Sequence, residues 1–132
     1  MIPRFRAWHK TWEEMGKVKR IRFDDEGNVT TVLFRGRDLG TNTHADEIEL
    51  MQSTGLCDKE GTEVFEGDIL HHQIQTEYTF IVKYDKDKGR WYGDGLSRTY
   101  RIDIAKRFLP HYYKVIGNIY ENQELLEVEN EN

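Results

Sequence analysis

The sequence predicts a mainly β protein, a small barrel-like or sheet architecture built from hairpins with at most one or two short helices. Aromatic side chains are abundant, with three Trp, seven Tyr and six Phe in 132 residues, and such residues favour strands. Strand-forming runs also alternate with clusters of Asp, Asn and Gly that form turns. A mean hydropathy of −0.79 indicates a well-solvated surface, while the aromatic content argues against a disordered chain.

Two hairpins are the clearest local predictions. Residues 17–23 and 29–34 are strand-forming runs on either side of the turn cluster Asp24-Asp25-Glu26-Gly27-Asn28. The second hairpin is predicted at residues 78–84 and 90–92, with its turn at residues 85–89. Because both faces of residues 78–84 carry apolar side chains, this strand is expected inside a sheet rather than at its edge.

The remaining segments are less regular. Three further strands are predicted, at residues 2–8, 64–70 and 112–120. Loops are expected at residues 35–46 and 54–61, which are rich in Gly, Thr and charged residues. Two segments stay open between a strand and a short helix, residues 47–53 and 97–109. If the second is helical, it should end before Pro110, because proline disfavours the helical conformation of the preceding residue.

The chain is expected to be a single domain of residues 1–132, since its length suits one modest core. Within it we distinguish an N-terminal hairpin region at about residues 1–55 and a barrel-like part at about 62–120. An acidic tail follows at residues 121–132, with five Glu and no Lys or Arg. No composition break or low-complexity linker requires a second domain.

Charge and cysteine content limit the partners and the compartment. The net charge of −5 lowers the expectation of a general nucleic-acid role, because such binding neutralises phosphates with Lys and Arg. Residues 1–22 nevertheless hold seven Lys or Arg against two Glu. The single Cys57 cannot form an internal disulfide, and no run has the length of a signal peptide or a membrane span. We expect a cytoplasmic location without membrane contact.

Three runs in series carry a family resemblance. They are Phe5-Arg6-Ala7-Trp8, the stretch from Leu50-Met51-Gln52 through Thr54-Gly55-Leu56-x-Asp58-Lys59-x-Gly61 to Glu66-Gly67-Asp68-Ile69, and Val115-Ile116-Gly117-Asn118-Ile119-Tyr120-Glu121-Asn122. In this order and spacing the chain resembles the YopX family of phage and prophage proteins. One departure is Gln123, where family members often have Pro. The resemblance implies a mainly β, barrel-like fold and an origin in a mobile element, and it implies no catalytic residue, cofactor or substrate.

Catalytic and metal-binding motifs are sparse. The sequence has no phosphate-binding glycine loop, no His-Glu-x-x-His and no zinc-finger cysteine spacing. His71 and His72 are neighbours in a predicted strand, so they point to opposite faces and favour a surface pair over a chelate. Glu66 and Asp68 flank Gly67, where a bend and a backbone-bonding Asp are the favoured interpretation. We therefore expect no catalytic residue, no metal and no cofactor.

Two other features resemble reactive sites but have a simpler interpretation. The run Asp85-Lys-Asp87-Lys-Gly89 resembles part of a calcium loop, but its twelfth position is Leu96 instead of Glu. A hairpin turn is the favoured interpretation. Cys57 lies beside Asp58-Lys59 without a sequence-local base, so an inert thiol is expected.

The predicted function is a non-catalytic binding or regulatory module encoded by a phage or prophage. The first alternative is a nucleic-acid-binding module, which would use Arg4, Arg6 and Trp8 or the patch at residues 98–107. In that patch the candidate contacts are Arg98, Tyr100 and Arg101. The second alternative is a metal-dependent hydrolase using His71 or His72 with Asp68 or Glu66.

A homo-oligomer is expected, with a host or phage protein as a further partner. The last predicted strand carries apolar side chains on both faces around Gly117-Asn118. A strand of this kind must be covered on both sides, and symmetric pairing is the commonest way in which soluble chains achieve this. The expected contact residues are Val115, Ile119 and Tyr120.

Overall fold

The computed structural model of the chain describes residues 4–37, 40–96, 101–104 and 109–127. These residues form eleven strands, two four-residue α-helices and one 3₁₀ turn, which confirms the mainly β prediction. The chain divides into two compact units, unit 1 at Met1–Gln52 and unit 2 at Ser53–Asn132. The single-domain expectation stays a prediction. No helix in the described part of the chain is long and apolar enough to cross a bilayer.

The elements follow one another along the chain with short connections. The strands are β1 Phe5–His9, β2 Glu14–Phe23, β3 Val29–Arg35, β4 Thr41–His44, β5 Ile48–Cys57, β6 Glu63–Phe65, β7 Asp68–His72, β8 Thr79–Asp85, β9 Arg90–Gly95, β10 Ile102–Asp103 and β11 Tyr113–Asn118. The helices are α1 Leu109–Tyr112 and α2 Glu124–Glu127, and the 3₁₀ turn is Ala45–Glu47.

Unit 1 is an antiparallel sheet in the order β4-β3-β2-β1-β5. Its centre is the predicted first hairpin, β2 and β3, which is confirmed. The turn forms because Asp24 Oδ1 accepts hydrogen bonds from the backbone N–H groups of Glu26 and Asn28, both at 2.9 Å. Gly27 supplies the positive φ of 86° that the turn requires. These backbone bonds, that of Asn28 foremost, hold the pKa of Asp24 below its usual value.

The core of unit 1 lies on one face of its sheet. Ala7, Val32, Phe34 and Ile48 are buried there. Four partly buried residues pack against them: Val18, Ile21, Val29 and Leu50. The pairing of β2 with β3 shifts register between Val18 and Arg20, and this bulge at Lys19 decides which side chains of β2 face away from the core.

Unit 2 contains a five-stranded antiparallel sheet in the order β10-β9-β8-β7-β11. Its core is formed by Val64, Leu70 and Val82. The central position predicted for residues 78–84 is confirmed, because β8 lies between β7 and β9. The sheet runs from edge strand β10 to edge strand β11, so the described residues form an open sheet and no closed barrel.

Several local predictions are wrong or incomplete. Within the predicted loop at 35–46, residues Thr41–His44 form β4, which pairs with β3. The predicted connection at 54–61 begins with strand, because β5 runs to Cys57. The predicted strand at 64–70 is two strands separated by a turn at Gly67. Pro110 lies inside α1 rather than after it, at the first turn, where its missing N–H breaks no helical bond.

The structure also bears on the two segments for which the sequence left strand and short helix open, residues 47–53 and 97–109. Residues 47–53 lie mostly in strand β5, which begins at Ile48. Within 97–109, the short strand β10 occupies Ile102–Asp103. Residues 97–100 and 105–108 lie outside the described residues, so the prediction is not decided for them.

Candidate functional site

The middle run of the family resemblance includes Thr54 to Gly61, and this stretch is organised around one buried carboxylate. Asp58 is 3% exposed, and its Oδ1 accepts the backbone N–H groups of Glu60 at 2.9 Å and Thr62 at 2.8 Å. Its Oδ2 accepts the N–H of Val115 at 2.8 Å. The side chain therefore closes the β5–β6 turn and connects it to β11.

The run Glu66-Gly67-Asp68-Ile69 builds a second turn of the same kind. Asp68 is 1% exposed, and its Oδ2 accepts the N–H of Phe65 at 2.8 Å. Gly67 has a φ of 87°; its N–H donates to Val82 O at 2.9 Å, and its carbonyl accepts the N–H of Ile119 at 3.0 Å. This confirms the predicted bend at Gly67 and the backbone-bonding role of Asp68.

The C-terminal run is fixed by two asparagines. The side-chain Oδ1 of Asn118 accepts the N–H groups of Tyr120 at 3.0 Å and Glu121 at 2.8 Å, and Asn122 Oδ1 accepts the Asn118 N–H at 3.1 Å. A bulge separates Val115 from Gly117, and a Cβ at Gly117 would lie 2.5 Å from Asn122 Oδ1. The bulge and this close approach explain why glycine occupies position 117.

We use the name motif network for four side chains and the backbone N–H groups that donate hydrogen bonds to them. The side chains are Asp58, Asp68, Asn118 and Asn122. Each of these side chains is engaged by backbone N–H groups of turns and strand ends. Hydrogen bonds from a buried polar group to the backbone are what keep it from costing folding free energy. The positions of these residues within the three runs are therefore explained by the hydrogen bonds that the fold requires.

A second concentration of charge lies on unit 1, on the face of its sheet opposite the core. We call this the basic face, and its cations are Arg6, Lys17, Arg20, Arg22 and Arg35. The register determines the arrangement, because Arg6 pairs with Lys17 and Lys17 with Arg35. These three residues form a row across β1, β2 and β3, about 10 Å long from the usual strand spacing. Arg20 and Arg22 continue the row of charge along β2.

The arrangement of the basic face is electrostatically unfavourable in isolation. Like charges directly opposite each other on neighbouring strands destabilise a sheet, by about 0.2–1 kcal/mol for each pair. Lys17, Arg22 and Arg35 are exposed, and among the residues that the structure describes no carboxylate lies within ion-pair distance of them. Arg20 donates a hydrogen bond to Asn42 Oδ1 at 3.4 Å, which leaves its charge uncompensated.

Comparison with known proteins supplies the family. The model of the family described as YopX protein matches residues 4–127. The chain belongs to the YopX family. No curated protein matches it. Among solved structures it is similar to protein EF1440 from Enterococcus faecalis, with 30% identity, a TM-score of 0.76 and coverage of 96% of this chain and 99% of that one.

A second solved structure extends the comparison of the fold. Protein yopX from Bacillus subtilis matches with 18% identity and a TM-score of 0.58, covering 94% of this chain and 95% of that one. At this identity the likeness concerns the fold alone. The resemblance inferred from the three runs is therefore confirmed at the level of family and fold.

Of the residues predicted for nucleic-acid contact, those of β1 and those of the later patch have different surroundings. Arg6 and Trp8 lie on the basic face of this YopX protein, and Arg4 immediately precedes β1. Arg98 and Tyr100 lie outside the described residues. Arg101 donates a hydrogen bond to Asp85 and stacks on Tyr92 at 3.8 Å. This bond lowers the pKa of Asp85 and raises that of Arg101, so this cation already has an anion within unit 2.

The histidines and carboxylates of the hydrolase alternative do not come together as a metal site. Among the described residues no group of three or more His, Cys, Asp or Glu side chains has the arrangement for holding a metal ion. His72 Nδ1 accepts the N–H groups of Ile74 at 3.1 Å and Gln75 at 2.8 Å, and His71 Nδ1 bonds Thr79 Oγ1 at 3.0 Å. His72 also stacks on Tyr112, with ring centroids 5.5 Å apart. These contacts organise the end of the β7–β8 hairpin.

The residues predicted for self-association lie at an edge strand. Val115 packs against the core of unit 2, and Ile116 is 37% exposed. Ile119 and Tyr120 are half-buried beyond the end of β11. Lys59 N–H donates to Tyr113 O at 2.9 Å, so chain from the β5–β6 turn already occupies part of this edge. The homo-oligomer stays a prediction, and the exposed Ile116 is the apolar side chain through which it is best tested.

The cations of β2 and β3 are the candidate residues that the sequence interpretation missed. Simple alternation along β2 places Lys17 with Lys19 and Ile21, and Arg20 on the opposite face with Val18. The bulge at Lys19 reverses this parity, so Lys17, Arg20 and Arg22 share one face. The only available signal was the density of Lys and Arg in residues 17–22.

Proposed function

We propose that this YopX protein is a non-catalytic binding module encoded by a phage or prophage. It acts in the host cytoplasm and uses the basic face of unit 1 to bind a polyanion. The observation that carries the proposal is the set of exposed cations on this face, with Lys17 directly opposite Arg35 and with Arg20 and Arg22 farther along β2.

The segregation of charge within unit 1 supports this proposal. Residues 1–52 contain nine Lys and Arg and nine Asp and Glu, so the basic face does not result from an excess of cations. Many of the acids lie instead in turns, at residues 13, 24–26 and 46–47, whereas Glu14 begins β2 and Glu49 lies in β5. Residues 53–132 contain ten Lys and Arg and fifteen Asp and Glu, which accounts for the whole net charge of −5. The net charge therefore does not describe the surface of unit 1.

The chemistry of the cations also suits an extended anion. Arginine presents a planar set of N–H donors that matches phosphate and carboxylate groups, and its charge does not titrate near neutral pH. Three exposed Arg and one Lys on adjacent strands, Arg20, Arg22, Arg35 and Lys17, offer several such donors at fixed spacing. A polyanion lying on them would remove the repulsion between opposed like charges.

Chromatography on immobilised heparin tests the proposal. Because the whole protein is acidic, we expect retention to depend on the basic face, and Lys17→Gln/Arg22→Gln should elute at a clearly lower salt concentration than wild type. The matched control is Lys86→Gln/Lys88→Gln, which removes two cations from the β8–β9 turn of unit 2 and should leave retention unchanged. If the wild type passes through unretained at low salt, or both variants lose retention equally, the proposal is wrong.

A further inference from the structure

We infer that the polyanion is a single-stranded nucleic acid lying along β2, an inference that rests on the proposed function. The face carries cations along an interior strand of the sheet, since β2 pairs with β1 on one side and with β3 on the other. Lys17, Arg20 and Arg22 follow this strand, and Arg35 flanks Lys17 on β3.

The spacing of these cations matches one phosphate chain. Residues two apart on one face of a strand are separated by about 6.6 Å, so Arg20 and Arg22 present charges at regular steps. The exposed Lys19 adds a cation at the bulge. A duplex presents two backbones on either side of a groove, which is entered by a helix or a two-stranded ribbon. A stripe one strand wide in the middle of a sheet suits a single backbone instead.

An aromatic ring lies beside the start of the stripe. Trp8 is the direct cross-strand partner of Met15 on β2, two residues before Lys17, and it lies on the basic face with part of its surface exposed. Leu33, the partner of Arg20, adds apolar surface on β3. Proteins that bind single strands combine a basic track for the backbone with rings on which bases stack.

The inference also predicts how the binding depends on salt and on sequence. Phosphate contacts carry no sequence information, so affinity should differ little between single strands of different base composition. Four phosphate contacts would give a slope of about −2.8 for log affinity against log salt, from the usual factor of about 0.7 for each phosphate of a single strand. Affinity should then fall about 50-fold between about 50 and 200 mM salt.

Fluorescence anisotropy with a labelled twelve-nucleotide oligothymidylate measures these quantities in the full-length protein. We expect binding to this probe and about half the salt slope for Lys17→Gln/Arg22→Gln, whereas Lys86→Gln/Lys88→Gln should behave as wild type. Binding should also quench tryptophan emission, and Trp8→Phe should lose that quenching. A thermal midpoint measured for each variant shows that the fold is retained.

Two comparisons, with a duplex and with heparin, distinguish this inference from the proposed function. A mixed-sequence duplex of the same length should bind more weakly than the single strand. Duplex binding as tight as single-strand binding would overturn the inference. Retention on heparin without binding to the oligonucleotide would also overturn it, while leaving the polyanion proposal intact. If heparin retention fails as well, both are wrong.

Discussion

The motif network of unit 2 and the basic face of unit 1 use charged residues in different ways. Asp58 is buried and accepts three backbone N–H groups, so its charge is matched within the chain. Lys17 is exposed between two other cations, Arg6 and Arg35. A buried and satisfied carboxylate stabilises the fold, whereas a set of opposed cations weakens it until an anion arrives.

This difference shows where function is best sought in the protein. The runs that identify the family owe much of their spacing to turns and to backbone hydrogen bonds. The candidate binding surface is made instead from residues that no run contains, apart from Arg6 and Trp8. Substitutions in the two regions should therefore have opposite signatures, loss of stability in the motif network and loss of binding on the basic face.

The largest effect is expected for Asp58→Ala. Three backbone N–H groups lose a charged acceptor, and each such bond contributes on the order of 1.5 kcal/mol or more. We expect the free energy of unfolding to fall by about 4–5 kcal/mol in urea titrations. Asp87→Ala, at an exposed turn position, is the control and should change it by less than about 0.5 kcal/mol. Equal losses in both variants would contradict the role of Asp58.

A double-mutant cycle tests the close approach of Gly117 to Asn122. Gly117→Ala places a methyl group against the Asn122 amide and should cost about 1–3 kcal/mol. Asn122→Ala removes the acceptor of the Asn118 N–H and should cost about 1 kcal/mol. The double variant should be more stable than the sum of the two losses predicts, by at least about 0.5 kcal/mol. Simple additivity would argue against the contact.

On the basic face, removing a charge should raise the free energy of unfolding instead of lowering it. Lys17→Gln removes one of the two exposed cations that lie opposite each other, Lys17 and Arg35, so it should raise the free energy of unfolding by about 0.2–1 kcal/mol at low salt. The gain should shrink in high salt, where exposed charges are screened. Lys86→Gln should produce no such gain. A loss of stability in Lys17→Gln would show that the lysine supports the fold and would weaken the comparison.

The smallest change in stability is expected for Asp24→Asn, in the β2–β3 turn, and it should depend on pH. Backbone N–H groups, that of Asn28 first, hold the pKa of Asp24 below 3.8, its value in an unfolded chain. The stabilisation from its charge is therefore fully present above pH 3.8 and is lost as the pH falls through the lower pKa of the folded state. The difference in stability between wild type and Asp24→Asn should disappear in strong acid. Asp25→Asn, which leaves the hydrogen bonds to Asp24 Oδ1 in place, is the control. A constant difference for Asp24→Asn at all pH values would contradict the mechanism.

Prediction from the sequence succeeded where the determinants are local. Both hairpins follow from strand-forming runs around turn residues, and the structure places Asp24 and Asp85 as acceptors of nearby backbone N–H groups. The strand β4 was missed because Thr41–His44 has no apolar alternation, and its pairing with β3 supplies what its own sequence lacks. The edge position of β11 was missed for a similar reason, since apolar residues on both faces do not reveal how many neighbours a strand has.

The sequence by itself determined the fold class, the two hairpins, the bend at Gly67 and the family. Each of these depends on backbone preferences and hydrogen bonds within a few residues, or on spacings that can be read directly. The tertiary structure alone decided that Lys17, Arg20, Arg22 and Arg35 share one face. That outcome depends on the β2–β3 register and on one extra residue at Lys19. Because side chains alternate with a period of two, a single inserted residue moves every following side chain to the opposite face.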